Sequence, residues 1–113
     1  MDISRDNSET VEELQIIEHN LQNILAQKQM FQVDMQEIEN ALSELAKTKD
    51  EVYKVLSGIM MKAEKNELIK ELEEKNKLLE LRISSIEKQE KILGERGIKL
   101  RHTIKGSMEK DKR

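Results

Sequence analysis

No proline, cysteine or tryptophan occurs in these 113 residues, and the aromatics stop at Phe31 and Tyr53. The missing cysteines exclude disulfides and thiolate chemistry, although they say little about redox compartment. With aromatics at 2% and charged residues at 38%, a conventional globular core would be hard to fill. A chain this short holds one domain at most. No apolar run approaches the length of a membrane span, and the opening MDISRDNSETVEE is too acidic and polar for a signal peptide. These absences predict a soluble, cytosolic protein that does not engage a membrane.

What is present is periodic. From residue 14 the apolar positions recur at alternating steps of three and four: Leu14, Ile17, Leu21, Ile24, Lys28, Phe31, Met35, Ile38, Leu42 and Leu45. Only Lys28 is not apolar, and a heptad seam held this long predicts a coiled-coil helix. SETVEE supplies its start, with Ser8 or Thr10 as cap and acids in the first turn. A second, weaker seam runs Ile69, Leu72, Asn76, Leu79, Ile83, Ile86, Glu90, Leu93, Gly97, Leu100 and Ile104. Leu14 to Leu45 and Ile69 to Leu100 are equal spans, so the two arms match in length. Equal arms joined by a compact middle suit an intramolecular antiparallel coiled coil, with both chain ends finishing together. That register sets Lys28 near Glu90, either as an ion pair that fixes register or as two side chains reaching water independently.

The middle segment, EVYKVLSGIMMKAE, breaks the pattern. Val52, Leu56, Ile59 and Ala63 would continue the first seam, so one uninterrupted helix to about residue 63 is a rival. Three features oppose it. AKTKDE reads as a helix end, Gly58 costs a helix interior about 1 kcal/mol, and the second seam is out of phase with the first. A hairpin is preferred, with strands Val52–Leu56 and Ile59–Ala63 around Ser57–Gly58. It pairs Leu56 with Ile59 on one face and Val55 with Met60 on the other, so both faces are apolar. A lone two-stranded hairpin is marginal, and its open edges invite other strands. Hairpins from several chains joining into a shared sheet or barrel would resolve both problems.

The predicted architecture is therefore mainly α: a long antiparallel two-helix coiled coil (8–48 and 66–105) joined by a short β-hairpin (51–64), with a flexible basic tail (106–113). The tail belongs to a stretch, 99–113, of net charge +4 in a chain of net −3. Such a stretch can bind nucleic acid or an acidic protein. Without base-stacking aromatics, a solvated helix end is the preferred reading, and no nucleic-acid partner is expected.

Catalytic chemistry has no visible home. His19 and His102 are isolated, with no cysteine or second histidine at ligand spacing. Gly58, Gly94, Gly97 and Gly106 do not form a phosphate-binding loop. The many carboxylates read as solvated helix faces with i,i+4 partners. The chain is expected not to be an enzyme and to need no metal or cofactor.

The stretch EVYKVLSGIMMKAEKNELIKELEEKNKLLELRISSIEKQEKIL resembles the hairpin and C-terminal helix of prefoldin beta subunits, especially those of archaea. VYK before a short apolar hairpin, then ELEEK, LELRI and EKQE, carry the resemblance. LAQKQMFQVDMQEIENALSEL adds the family's Gln-rich first helix with its QKQ, and the whole covers roughly residues 12 to 100. One departure lies in the turn: the family usually has Gly two residues before the second strand's apolar run, where this chain has Ser57, and its Gly stands at 58.

The resemblance implies a hexamer of two alpha and four beta subunits. Its hairpins build β-barrels, and its coiled coils hang from them. Further copies of this chain and an alpha-type subunit are then partners, and Val52, Tyr53, Val55, Leu56, Ile59, Met60 and Met61 are assembly residues. The family holds unfolded proteins without ATP and passes them to a group II chaperonin. Clients would bind at the arm tips, for which Val11, Leu14, Ile16, Ile17, Ile98, Leu100, Ile104 and Met108 are the candidates. The second seam weakens outward through Glu90 and Gly97, so the outer helices can splay and offer apolar patches for many weak contacts. The bland alternative is that Leu14, Ile17, Leu100 and Ile104 simply pack together as seam. The basic tail is a candidate contact for an acidic chaperonin surface. The rival function is a structural or adaptor coiled coil that binds no clients.

Overall fold

The computed structural model describes the backbone of residues 3–111 and the side chains of residues 8–107. Two long helices, α1 (Ile3–Lys47) and α2 (Lys65–Asp111), flank two strands, β1 (Val52–Leu56) and β2 (Ile59–Ala63). The strands form one antiparallel pair in the register Val52–Ala63, Tyr53–Lys62, Lys54–Met61, Val55–Met60 and Leu56–Ile59. The uninterrupted helix through residue 63 is therefore ruled out.

The turn explains why a hairpin wins. Ser57 and Gly58 both have positive φ, 51° and 79°. Two successive left-handed residues make the turn whose twist matches a pair of right-twisted strands. Gly58 adopts this at no steric cost, whereas Ser57 carries a strain of about 1 kcal/mol.

Both helices outrun the expected bounds. α1 begins at Ile3, so Ser8 and Thr10 lie within it and do not cap it. Nothing between residues 3 and 10 is a helix breaker. α2 reaches Asp111, so residues 106–111 are helical instead of a flexible tail, and 112–113 lie outside the described residues. Gly106 weakens a helix by about 1 kcal/mol, but without proline nothing forces an end there. The cap of α2 is Glu64, whose carboxylate accepts hydrogen bonds from the backbone N–H of Glu67 (2.8 Å) and Asn66 (3.2 Å). It satisfies two of the orphan donors at a helix start.

The chain divides into two compact units: one comprises Gln29–Ser84, the other the residues up to Lys28 with those from Ser85 onward. Within Gln29–Ser84 the helices run antiparallel. Arg82 lies 5.9 Å from the Phe31 ring centre, and near the hairpin Lys65 donates to the Thr48 carbonyl at 3.0 Å. Leu45 and Leu79 are its buried core. Asn76 is a seam member here, and its Oδ1 is buried without a hydrogen-bond partner.

The other unit is antiparallel too. Lys28 Nζ lies 3.8 Å from Glu90 and 3.9 Å from Glu87, while further out Glu18 accepts from Arg101 at 2.7 Å and Glu13 pairs with Arg96. The Lys28–Glu90 contact is thus made, with Glu87 as a second acid. Ile17, Ile24 and Ile86 are buried. Across both units every member of the two predicted seams is buried or half-buried.

Candidate functional site

The hairpin exposes what a folded chain usually hides. Val55, Leu56, Ile59, Met60, Met61 and Tyr53 are all exposed, Met60 at 69% and Ile59 at 64%. Alternation divides the side chains between two faces. Val52, Lys54, Leu56, Ile59, Met61 and Ala63 share one face, and Tyr53, Val55, Met60 and Lys62 the other. The first face is half-covered at its helix end, where Val52, Lys54 and Ala63 are half-buried and Lys54 Nζ lies 3.7 Å from Glu71 of α2. The second face is uncovered throughout. Of the seven predicted assembly residues, only Val52 is half-buried in the chain itself.

The edges are equally open. Counted from the closing pair Leu56–Ile59, an antiparallel ladder alternates bonded and non-bonded pairs. Val55–Met60 and Tyr53–Lys62 are then non-bonded, and their main-chain groups point outward. The free edge of β1 offers Tyr53 and Val55, and that of β2 offers Met60 and Lys62.

A polar cluster outside the sequence reading sits on the uncovered face. Glu51 accepts hydrogen bonds from the Tyr53 hydroxyl at 2.7 Å and from Lys62 Nζ at 3.1 Å. Tyr53, with Lys62 beside it, holds the Glu51 carboxyl below its ordinary pKa, and Glu51 in turn raises that of the Tyr53 phenol. Glu51 lies one residue before β1, and its two-residue spacing from Tyr53 was the legible signal.

The client candidates all fall in the unit that carries both chain ends. They separate into two sets. Leu14, Ile17, Leu100 and Ile104 face the seam: Ile17 is only 4% exposed and the others are half-buried. Val11, Ile16 and Ile98 are exposed, Ile16 at 61%. Ile16 also lines a shallow recess with Glu12, Gln15 and His19. The Met108 side chain lies outside the described residues. Leu25 and Ile92 are exposed in the same unit and were missed, although each sits one step off a seam residue, as Ile16 does. Among the described residues no group of three acids, histidines or cysteines is placed to hold a metal, and no helix is long and apolar enough to cross a membrane.

A family model described as "Prefoldin subunit" matches residues 8–111, nearly the whole chain. The chain belongs to the prefoldin subunit family. Among its relatives, prefoldin subunit beta of Methanospirillum hungatei is 39% identical over 98 residues, covering 85% of this chain and 82% of the relative. Prefoldin subunit beta of Archaeoglobus fulgidus is 39% identical over 88 residues, 76% of each chain. The crystal structure of the prefoldin beta subunit from Thermococcus strain KS-1 superposes with a TM-score of 0.86 at 30% identity, covering 94% of this chain and 95% of that one. Two long helices joined by one two-stranded hairpin are thus a prefoldin beta-like fold. Prefoldin subunits are chaperone co-factors and not enzymes.

Proposed function

We propose that this chain is a cytoplasmic, ATP-independent holdase subunit that assembles through its hairpin and captures unfolded proteins on the unit carrying the chain ends. The observation that carries the reading is the hairpin itself: Val55, Leu56, Ile59, Met60 and Met61 are exposed around two unpaired strand edges. Edge pairing covers that surface and satisfies the outward main-chain groups in one step. Further copies of this chain and an alpha-type subunit are the partners, in a hexamer of two alpha and four beta subunits. Clients meet Val11, Ile16 and Ile98 first, with Leu25 and Ile92 extending the apolar surface, and a group II chaperonin receives them. Each contact is weak, and four sets from the four beta copies in one assembly give useful avidity.

A second reading, a structural adaptor without clients, draws support from the packing of Leu14, Ile17, Leu100 and Ile104 into the seam. One experiment separates the two. A chemically unfolded protein is diluted into ATP-free buffer containing this chain co-assembled with an alpha-type partner, and light scattering is followed. The holdase suppresses aggregation, and Ile16→Ser with Ile98→Ser weakens suppression severalfold without disturbing the hexamer. Unchanged scattering with an intact hexamer would leave the adaptor.

A further inference from the structure

We propose that Glu51 is a positioning residue for subunit assembly, tying Tyr53 and Lys62 into one neutral cluster at the helix end of the hairpin face that carries Val55 and Met60. The inference rests on the hairpin-assembly reading above. It starts from geometry: one carboxylate accepts from the Tyr53 hydroxyl at 2.7 Å and from Lys62 Nζ at 3.1 Å, and Tyr53 and Lys62 are cross-strand partners. The opposite face is already engaged at this end, through Lys54 and Glu71 at 3.7 Å. At this end the Glu51 face is therefore the open one, while the opposite face is open only nearer the turn, at Leu56, Ile59 and Met61.

The same four residues that line this face, Tyr53, Val55, Met60 and Lys62, own the outward main-chain groups of both edges. A strand adding at either edge must pass Tyr53 or Lys62 and take their surroundings out of water. A lysine desolvated without an acid is far costlier than one already paired, and a phenol without an acceptor loses its hydrogen bond. Glu51 meets both needs before the partner arrives. The surface then fits a second hairpin that is apolar beside Val55 and Met60 and brings no acid of its own to Lys62. An incoming acid would be repelled by Glu51.

The contact has a clean probe. Tyr53 is the only tyrosine and there is no tryptophan, so phenolate absorbance of the free chain reports this one group. Glu51→Ala is expected to lower the titration midpoint of Tyr53 toward that of an ordinary phenol while far-ultraviolet circular dichroism keeps its helical signal. In the full-length chain mixed with an alpha-type partner, native mass spectrometry across a dilution series is expected to show half-assembly at about tenfold higher concentration. Adding Lys62→Ala is expected to recover most of that loss, because it removes the stranded charge. An unchanged Tyr53 midpoint, or a loss that Lys62→Ala fails to relieve, overturns the proposal. If Glu51→Ala assembles like the parent while Val55→Asp abolishes assembly, the Glu51 role falls and the hairpin reading stands. If Val55→Asp is also without effect, the hairpin reading falls first and takes Glu51 with it.

Discussion

The hairpin and the helix pair carrying the chain ends are built from the same apolar residues, yet they treat them oppositely. Ile17 on α1 is 4% exposed, whereas Ile59 on β2 is 64% exposed. A heptad seam needs one partner helix to cover it, and the chain supplies that partner. A two-stranded ribbon has two faces and two edges, and this chain covers only part of one face. The lesson is about where exposure carries information. A single off-seam isoleucine on a helix marks a site only together with neighbours such as those around Ile16 and Ile98. Five exposed apolar residues on ten strand residues by themselves mark a surface awaiting another chain.

The sharpest test exchanges alanine for each isoleucine. Ile17→Ala is expected to destabilise the free chain by about 3 kcal/mol, the usual cost of a buried aliphatic truncation. Ile59→Ala should move it by no more than about 0.5 kcal/mol. Urea unfolding followed by circular dichroism measures both. Equal losses would mean that the hairpin is packed in the free chain, and the comparison would fail.

The glycines supply a second contrast, this time of sign. Gly58 has φ at 79° with open space where a Cβ would go, so Gly58→Ala pays backbone strain alone, about 1 kcal/mol. Gly97 is helical, and a Cβ there would sit 3.6 Å from Ile17 and 3.8 Å from Leu14, ordinary contacts. Gly97→Ala is expected to stabilise by about 1 kcal/mol from helix propensity. Thermal melts of the two variants should therefore shift in opposite directions, and a shared direction would refute the account of one site.

Charge contrasts are smaller. A double-mutant cycle on Lys28 and Glu90 should give coupling of about 0.5 kcal/mol or less, since the 3.8 Å contact is long, shared with Glu87 and still partly reached by solvent. Coupling well above this would make the pair a register lock.

The smallest effect is the pH response of the hairpin cluster. Glu51 has a lowered pKa in the folded chain, so its contribution is present above the ordinary carboxylate pKa and is lost as pH falls through the folded value. Tyr53 has a raised pKa, so its contribution is present below the ordinary phenol pKa and is lost as pH rises through the folded value. Dichroic melts at acid, neutral and alkaline pH should favour the neutral range, and Glu51→Ala should flatten the alkaline limb.

Much of this molecule was legible in one dimension. The seam from Leu14 to Leu45 and the weaker seam from Ile69 to Ile104 follow from steps of three and four. The strands on either side of Ser57–Gly58 follow from the helix-end residues before them, the cost of Gly58 inside a helix and the phase break between the seams. Local steric rules act on these wherever the chain goes. The helix ends were read less well. Gly106 and the polar opening residues weaken a helix without stopping it, and Glu64 caps α2 in a way that only its two backbone contacts reveal. Tertiary structure alone decided the rest. Between splaying and packing it chose packing for the seam residues Leu14, Ile17, Leu100 and Ile104, drew Glu87 as well as Glu90 to Lys28, and joined Glu51 to Lys62 across the hairpin. Periodicity tells which side of an element is apolar. Which partner covers that side, and which charges meet across it, depends on distances between residues far apart in sequence, and only the folded chain sets those.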